Sequence, residues 1–287
     1  MIRLAVPVLV MTAPLATQTG SDIYLVNVER FAGGIRLGRP ANITDRPGYD
    51  NQPAFLPDGS AILYTSIRED GQADTYRYDL ATRRTTRLTE TAESEYSPTV
   101  MSDGRVSVVR VERDSVQRLW AFAVADGAFD VLFPELAPVG YYAWVDAATA
   151  AVFVLGDPPT LRIARIGDAE AVVAARDIGR TIARVPGSGA LSFVQRRGDD
   201  ELWVVTQPID GDVVEPVAPL PGAEFFTWTP DGALVAAQDR RILLGRPGGG
   251  TVVWSEVANF TGTDLGPISR IAVSPQGDWL AFVAAEH

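Results

Sequence analysis

The segment QPAFLPDGSAILYTSIREDG, residues 52–71, sets a Pro-Asp-Gly turn between two short apolar runs and ends in a charged loop. One such segment is an ordinary β-hairpin, but a chain that repeats it at a fixed interval is restricted to repeat architectures. The segment does repeat. SPTVMSDGRVSVVRVE turns at Ser102-Asp103-Gly104, FFTWTPDGALVAAQD at Pro230-Asp231-Gly232 and ISRIAVSPQGDWLAFVAAE at Pro275-Gln276-Gly277. Two weaker copies lie between them: YYAWVDAATAAVFVLGD around Asp146-Ala147-Ala148, and TIARVPGSGALSFVQRR around Gly187-Ser188-Gly189. With Gly59, Gly104, Gly189, Gly232 and Gly277 as the turn glycines, the intervals are 45, 85, 43 and 45 residues. The long interval contains the copy near residue 147, so the period is about 44 residues.

Each period has the same internal order. A short strand precedes the turn, and a nearly continuous apolar strand follows it: AILYT, VSVVRV, AVFVL, ALSFV, ALVAA, WLAFV. A polar loop leads to a third strand (TYRYDL, RLWAFAV, LRIARI, ELWVVTQ, RILLG), and a fourth closes the unit (TTRLT, FDVLF, AVVAA, VVEPVA, TVVWS). Four strands in about 44 residues is the length of a propeller blade, and strands buried on both faces lose the period-two alternation. The last period stops after two strands. The missing pair stands at the other end, as DIYLVNVE (22–29) and IRLGRPANIT (35–44), so the final blade is expected to combine both chain ends and hide two sheet edges. The fold expected is all-β: a six-bladed propeller of four-stranded antiparallel blades over residues 21–287, with no second domain.

Composition removes several functions. The net charge is −11, which repels a nucleic-acid backbone. There is no cysteine and one histidine, His287, so disulfides, thiolate metal sites, histidine metal clusters and Ser-His-Asp triads are all out of reach. Residues 1–20, MIRLAVPVLVMTAPLATQTG, have the order of a secretory leader: one Arg, an apolar run, then small and polar residues. A leader or disordered terminus is expected there, with a periplasmic or secreted location and a cytoplasmic one as the alternative. No other apolar stretch is long enough to span a membrane.

Pro53, Phe55, Pro57-Asp58-Gly59, then Arg68, Asp70-Gly71, the DTYRYDL strand from Asp74 to Leu80 and the closing Leu88-Thr89 resemble the TolB-like propeller repeat. The match is strong over 45–105, partial at 224–237 and 266–283, and lost over 135–220, where only period and strand order remain. These Pro, Asp and Gly residues do turn chemistry and are not expected to be catalytic. The resemblance implies a periplasmic, non-enzymatic module that binds another protein, and no hydrolase domain is expected after the closing blade.

By analogy with other propellers, a ligand is expected over the central channel, beside the residues just before each first strand. These are Tyr49-Asp50-Asn51, Glu95-Tyr96, Tyr141-Tyr142, Arg180-Thr181, Glu224-Phe225 and Ser269-Arg270. Tyr and Arg offer large contact area with a polar end, as binding hot spots do. Asn51, Glu95, Tyr96, Tyr141, Tyr142, Arg180, Glu224, Phe225 and Arg270 are therefore the candidate binding residues. The expected partner is a protein or peptide at the channel mouth, the protein is expected to be a monomer, and no cofactor or catalytic residue is expected. The alternative is a lactonase- or glycosidase-like hydrolase in which Asp50, Glu95 and Glu224 converge at the mouth, with Asn51 as a neutral oxygen and Ca²⁺ as a possible ion.

Overall fold

A computed structural model of the protein describes residues 20–31, 34–197, 201–248 and 251–286. The expected leader and His287 lie outside the described residues, apart from Gly20. The described chain forms 25 strands and no helix. Four of its sheets are four-stranded and antiparallel, each built from consecutive strands. Their innermost strands are Ser94–Val100, Val139–Trp144, Ile178–Arg184 and Phe226–Trp228.

The fifth sheet has nine strands and two parts. One part is the meander Tyr49–Phe55, Ala61–Ile67, Ala73–Asp79 and Arg84–Arg87. In the other, Ile268–Val273 pairs with Trp279–Ala285, which pairs antiparallel with Ser21–Phe31 from the opposite end of the chain (Ser21↔Ala285 to Asn27↔Trp279). Gly34–Leu37 and Ala41–Asn42 then pair with Ser21–Phe31. A single parallel bridge, Ser21↔Tyr49, joins the two parts.

The apolar second strands are buried along their length, as their unbroken hydrophobicity requires: Thr149–Val154 is buried at all six positions and Ala61–Ile67 at its first six. They pack into hydrophobic clusters between successive sheets. Leu63 meets Val106, Val108 and Phe122; Val109 and Leu119 meet Val139 and Val152; Phe153 meets Leu191 and Phe193. Val194 and Val204 meet Leu234 and Ala236, and Val235 and Leu244 meet Ile271, Leu280 and Phe282. The sixth cluster sets Ile23, Leu25, Ala281 and Val283 against Ile62, Tyr64 and Tyr76. The two chain ends thus pack on the first meander.

The turns follow the expected chemistry with one correction. Gly59, Gly104, Gly232 and Gly277 have φ between 71° and 86°, and each donates its N–H to the carbonyl three residues earlier. Asp58 Oδ1 accepts the N–H of Ser60 at 2.9 Å, and Asp146 Oδ1 those of Ala148 and Thr149 at 2.8 Å. In the fourth copy the left-handed residue is Gly187 (φ 68°) and not Gly189: Ser188 takes the place of Gly59, donating its N–H to the Val185 carbonyl, and the positive φ falls one residue earlier, on the glycine. The outer strand expected at TVVWS is also displaced. It runs Trp254–Asn259, with Gly245 opposite Trp254, while Val252 is buried and Val253 points outward.

Candidate functional site

Six side chains, Gln52, Ser97, Tyr141, Thr181, Phe225 and Arg270, one from each innermost strand or its leading residue, line an open cavity of about 210 Å³. Five of these strands shift register beside it: at Asn51/Ala54, Tyr96/Thr99, Val139/Tyr141, Ile178/Ile182 and Ile268/Arg270. The extra residues are Gln52 (φ 60°) and Ser97 (φ 55°) in the first two meanders. Each precedes a proline, which cannot donate to the ladder and is admitted to a strand at a bulge. Gln52 Oε1 accepts the N–H of Ser97 at 2.7 Å, so the two bulges are tied together.

Arg270 dominates the opening. Its guanidinium carbon stands 4.0 Å from the Phe225 ring centre and 5.2 Å from that of Tyr141, and Nη2 donates to the Tyr141 hydroxyl at 3.3 Å. Tyr141 and Phe225 meet edge to face at 6.4 Å. Among the described residues Arg270 has no ion pair, unlike Arg46, Arg87 and Arg110, which hold Asp50, Asp74 and Glu93. Tyr49 lies close enough to feel its charge. Burial pushes the Tyr49 hydroxyl up to about 12, and Arg270 opposes that rise.

The exposed Arg180 and the half-buried Glu224 form the rim beside it. The Arg180 N–H donates to Glu224 Oε1, its side chain reaches Oε2 at 3.8 Å, and Thr181 Oγ1 donates to the Glu224 carbonyl at 3.1 Å. Gly179 permits this approach, since a Cβ there would lie 2.4 Å from Glu224 Oε1.

Of the nine residues expected at the opening, Tyr141, Tyr142, Arg180, Phe225 and Arg270 border the cavity, and Glu224 lies against Arg180 beside it. Asn51, Glu95 and Tyr96 lie elsewhere. Glu95 is fully buried and does not reach the opening: Thr89 donates to it at 3.1 Å, Thr91 donates as well, and Arg110 lies 3.5 Å away. Burial raises its carboxyl to about 7, against those hydroxyl donors and Arg110. Asn51 is buried, donating to Ser21 Oγ and accepting from the Gln52 N–H. Tyr96 packs against Val109 and its neighbours. Tyr142 borders the cavity, but its hydroxyl is buried against Ser97 and Ser107 and raised by that burial. In the first two meanders the cavity is lined instead by Gln52, Pro53 and Ala54 and by Ser97, Pro98 and Thr99. The X-Pro pairs inside apparent strands were the signal for these extra residues.

Asp50 is fully buried against Arg46 at 3.0 Å, and among the described residues no three His, Asp or Glu side chains stand close enough to share a metal ion. Asp50, Glu95 and Glu224 do not converge, so the donor set expected for Ca²⁺ is not assembled. No described helix is long and apolar enough to cross a membrane.

No family model matches the chain. Among solved structures it is similar to a TolB candidate from Agrobacterium tumefaciens (TM-score 0.69, 16% identity, covering 94% of this chain and 99% of that one). It is also similar to TolB from Acinetobacter baumannii (TM-score 0.59, 16% identity, 94% of this chain), of which it spans 65%. A gluconolactonase from Xanthomonas campestris matches with TM-score 0.64 at 13% identity, over 91% of this chain and 94% of that one. At such identities the likeness concerns the fold alone, a β-propeller shared by these TolB proteins and the gluconolactonase.

Proposed function

We propose that the chain is a six-bladed propeller, closed by pairing its two ends, whose central opening binds an extended segment of a partner protein. Support for six blades and closure comes from the hydrophobic clusters between successive sheets and from the pairing of Ser21–Phe31 with Trp279–Ala285. The binding reading rests on one observation: Arg270 sits at the opening on the rings of Tyr141 and Phe225 without an ion pair among the described residues. A half-buried cation and two aromatic faces on rigid strands make a recognition surface, because little conformational entropy remains to be lost on binding. The hydrolase alternative draws on the gluconolactonase likeness, but two of its three carboxylates are buried against arginines away from the opening. An envelope location belongs to the same proposal.

The test is selection of random twelve-residue peptides on the immobilised protein, followed by hydrogen exchange on the complex. The reading expects slowed exchange in 139–144 and 268–273, and binding weakened about ten-fold or more by Tyr141→Ala, as at a hot spot. Selected peptides that protect only residues outside the opening would contradict it.

A further inference from the structure

We infer that Arg270 is a carboxylate anchor: the opening takes the carboxylate of an extended peptide, and the guanidinium edge receives it as a fork. This rests on the peptide-binding reading and specifies its ligand.

The rings of Phe225 and Tyr141 cover the guanidinium at 4.0 and 5.2 Å, and the Tyr141 hydroxyl takes one Nη2 donor at a long 3.3 Å. A guanidinium carries five N–H donors in one plane, arranged to match the two oxygens of a carboxylate. Arg270 borders the cavity, so its remaining donors have a ligand space beside them. The surrounding groups suit an anion. Tyr141, while accepting from Arg270, keeps its own hydroxyl proton to donate. Gln52 spends its carbonyl oxygen on the Ser97 N–H, which leaves the Nε2 amide as a donor on the same wall. The carboxylate of Glu224 is taken up by the Arg180 side chain and backbone N–H.

Charge and size narrow the ligand. The chain carries 36 acidic against 25 basic residues, so the charge of Arg270, without an ion pair among the described residues, is a local inversion of that balance beside the cavity. That inversion favours one anionic group and repels approach elsewhere. The cavity, about 210 Å³, falls below the roughly 300–1,000 Å³ that holds a whole drug-sized ligand. It fits a carboxylate and the few atoms bearing it, with the rest of the segment lying over the rim. Both a C-terminus and an Asp or Glu side chain supply that chemistry.

The test uses the peptide selected above, synthesised in four forms: with a free or amidated C-terminus, and with its acidic residues kept or changed to Asn or Gln. Each is titrated by fluorescence anisotropy against wild type, Arg270→Ala and Arg270→Lys. Loss of the relevant carboxylate should weaken wild-type binding about ten-fold or more, the scale of a hydrogen-bonded charge. The same loss should cost little in Arg270→Ala, and Arg270→Lys should recover only part. The sensitive form tells a terminal from a side-chain carboxylate. Neutral forms that bind wild type as tightly as acidic ones would overturn the anchor and leave peptide binding standing; this comparison leaves the protein unaltered, so it does not depend on how the variants fold. Failure to select any peptide at the opening would remove both readings.

Discussion

Burial governs Glu95 more than its charged neighbours do. Arg110 and two threonine hydroxyls favour its ionised form, yet removal from water raises the carboxyl from 4.5 to about 7. The neighbouring Asp74, 1% exposed and paired with Arg87, is raised for the same reason. A carboxyl raised on folding holds its proton more tightly in the folded state. Its stabilising effect is fully present below pH 4.5 and is lost as pH rises through about 7. Between pH 5 and 8 the protein should therefore lose stability, with Glu95 accounting for up to about 3 kcal/mol. Glu95→Gln keeps the shape and removes the titration, so urea unfolding at the two pH values should show a smaller difference in the variant. Equal differences would mean that Glu95 is ionised throughout. Alternation along 94–100 gave no warning of this. It separates the two faces of a strand, but not the opening from the buried contact with the next sheet.

At the level of the strands, much was readable because turn residues punctuate them. Asp58, Gly59, Asp146 and Gly232 mark their turns through backbone needs that sequence states directly. The cavity register was less readable. Gln52 and Ser97 each add a residue, and the prolines after them were the only sign. The outer strand after residue 250 was misplaced because TVVWS is apolar enough to pass for one, whereas only Val252 is buried. A device that joins sheets was not foreseen at all. Trp144 Nε1 donates to Ser107 Oγ on the preceding sheet at 2.9 Å, and Trp228 Nε1 to Ser192 Oγ at 2.8 Å. Each serine also bonds a carbonyl of its own innermost strand, Thr99 or Ala183. Ser107→Ala and Ser192→Ala should each cost about 1 kcal/mol by removing the acceptor of a half-buried indole N–H. The two sites share no partner, so the double variant should lose roughly the sum. Urea midpoints measure this, and unchanged midpoints would show the serines to be incidental.

For the whole molecule, the proposed closure makes the opening depend on the pairing of Ser21–Phe31 with Trp279–Ala285. Arg270 lies on Ile268–Val273, whose sheet is completed by Ser21–Phe31, Gly34–Leu37 and Ala41–Asn42. Glu286 Oε1 accepts the Gly48 N–H at 3.0 Å, and Ser21 Oγ donates to the Asp50 carbonyl at 3.1 Å, which ties this sheet to the first meander. Without the N-terminal strands, the edge of Trp279–Ala285 is left unpaired and Ile23 and Leu25 leave the cluster they share with Ile62 and Tyr64. The direct measurement is thermal unfolding of the full chain beside a chain lacking residues 21–44, followed by circular dichroism. The closed ring predicts that the shortened chain melts many degrees lower or fails to fold, and that it no longer binds the selected peptide. An unchanged midpoint with peptide binding intact would contradict closure and the site built upon it.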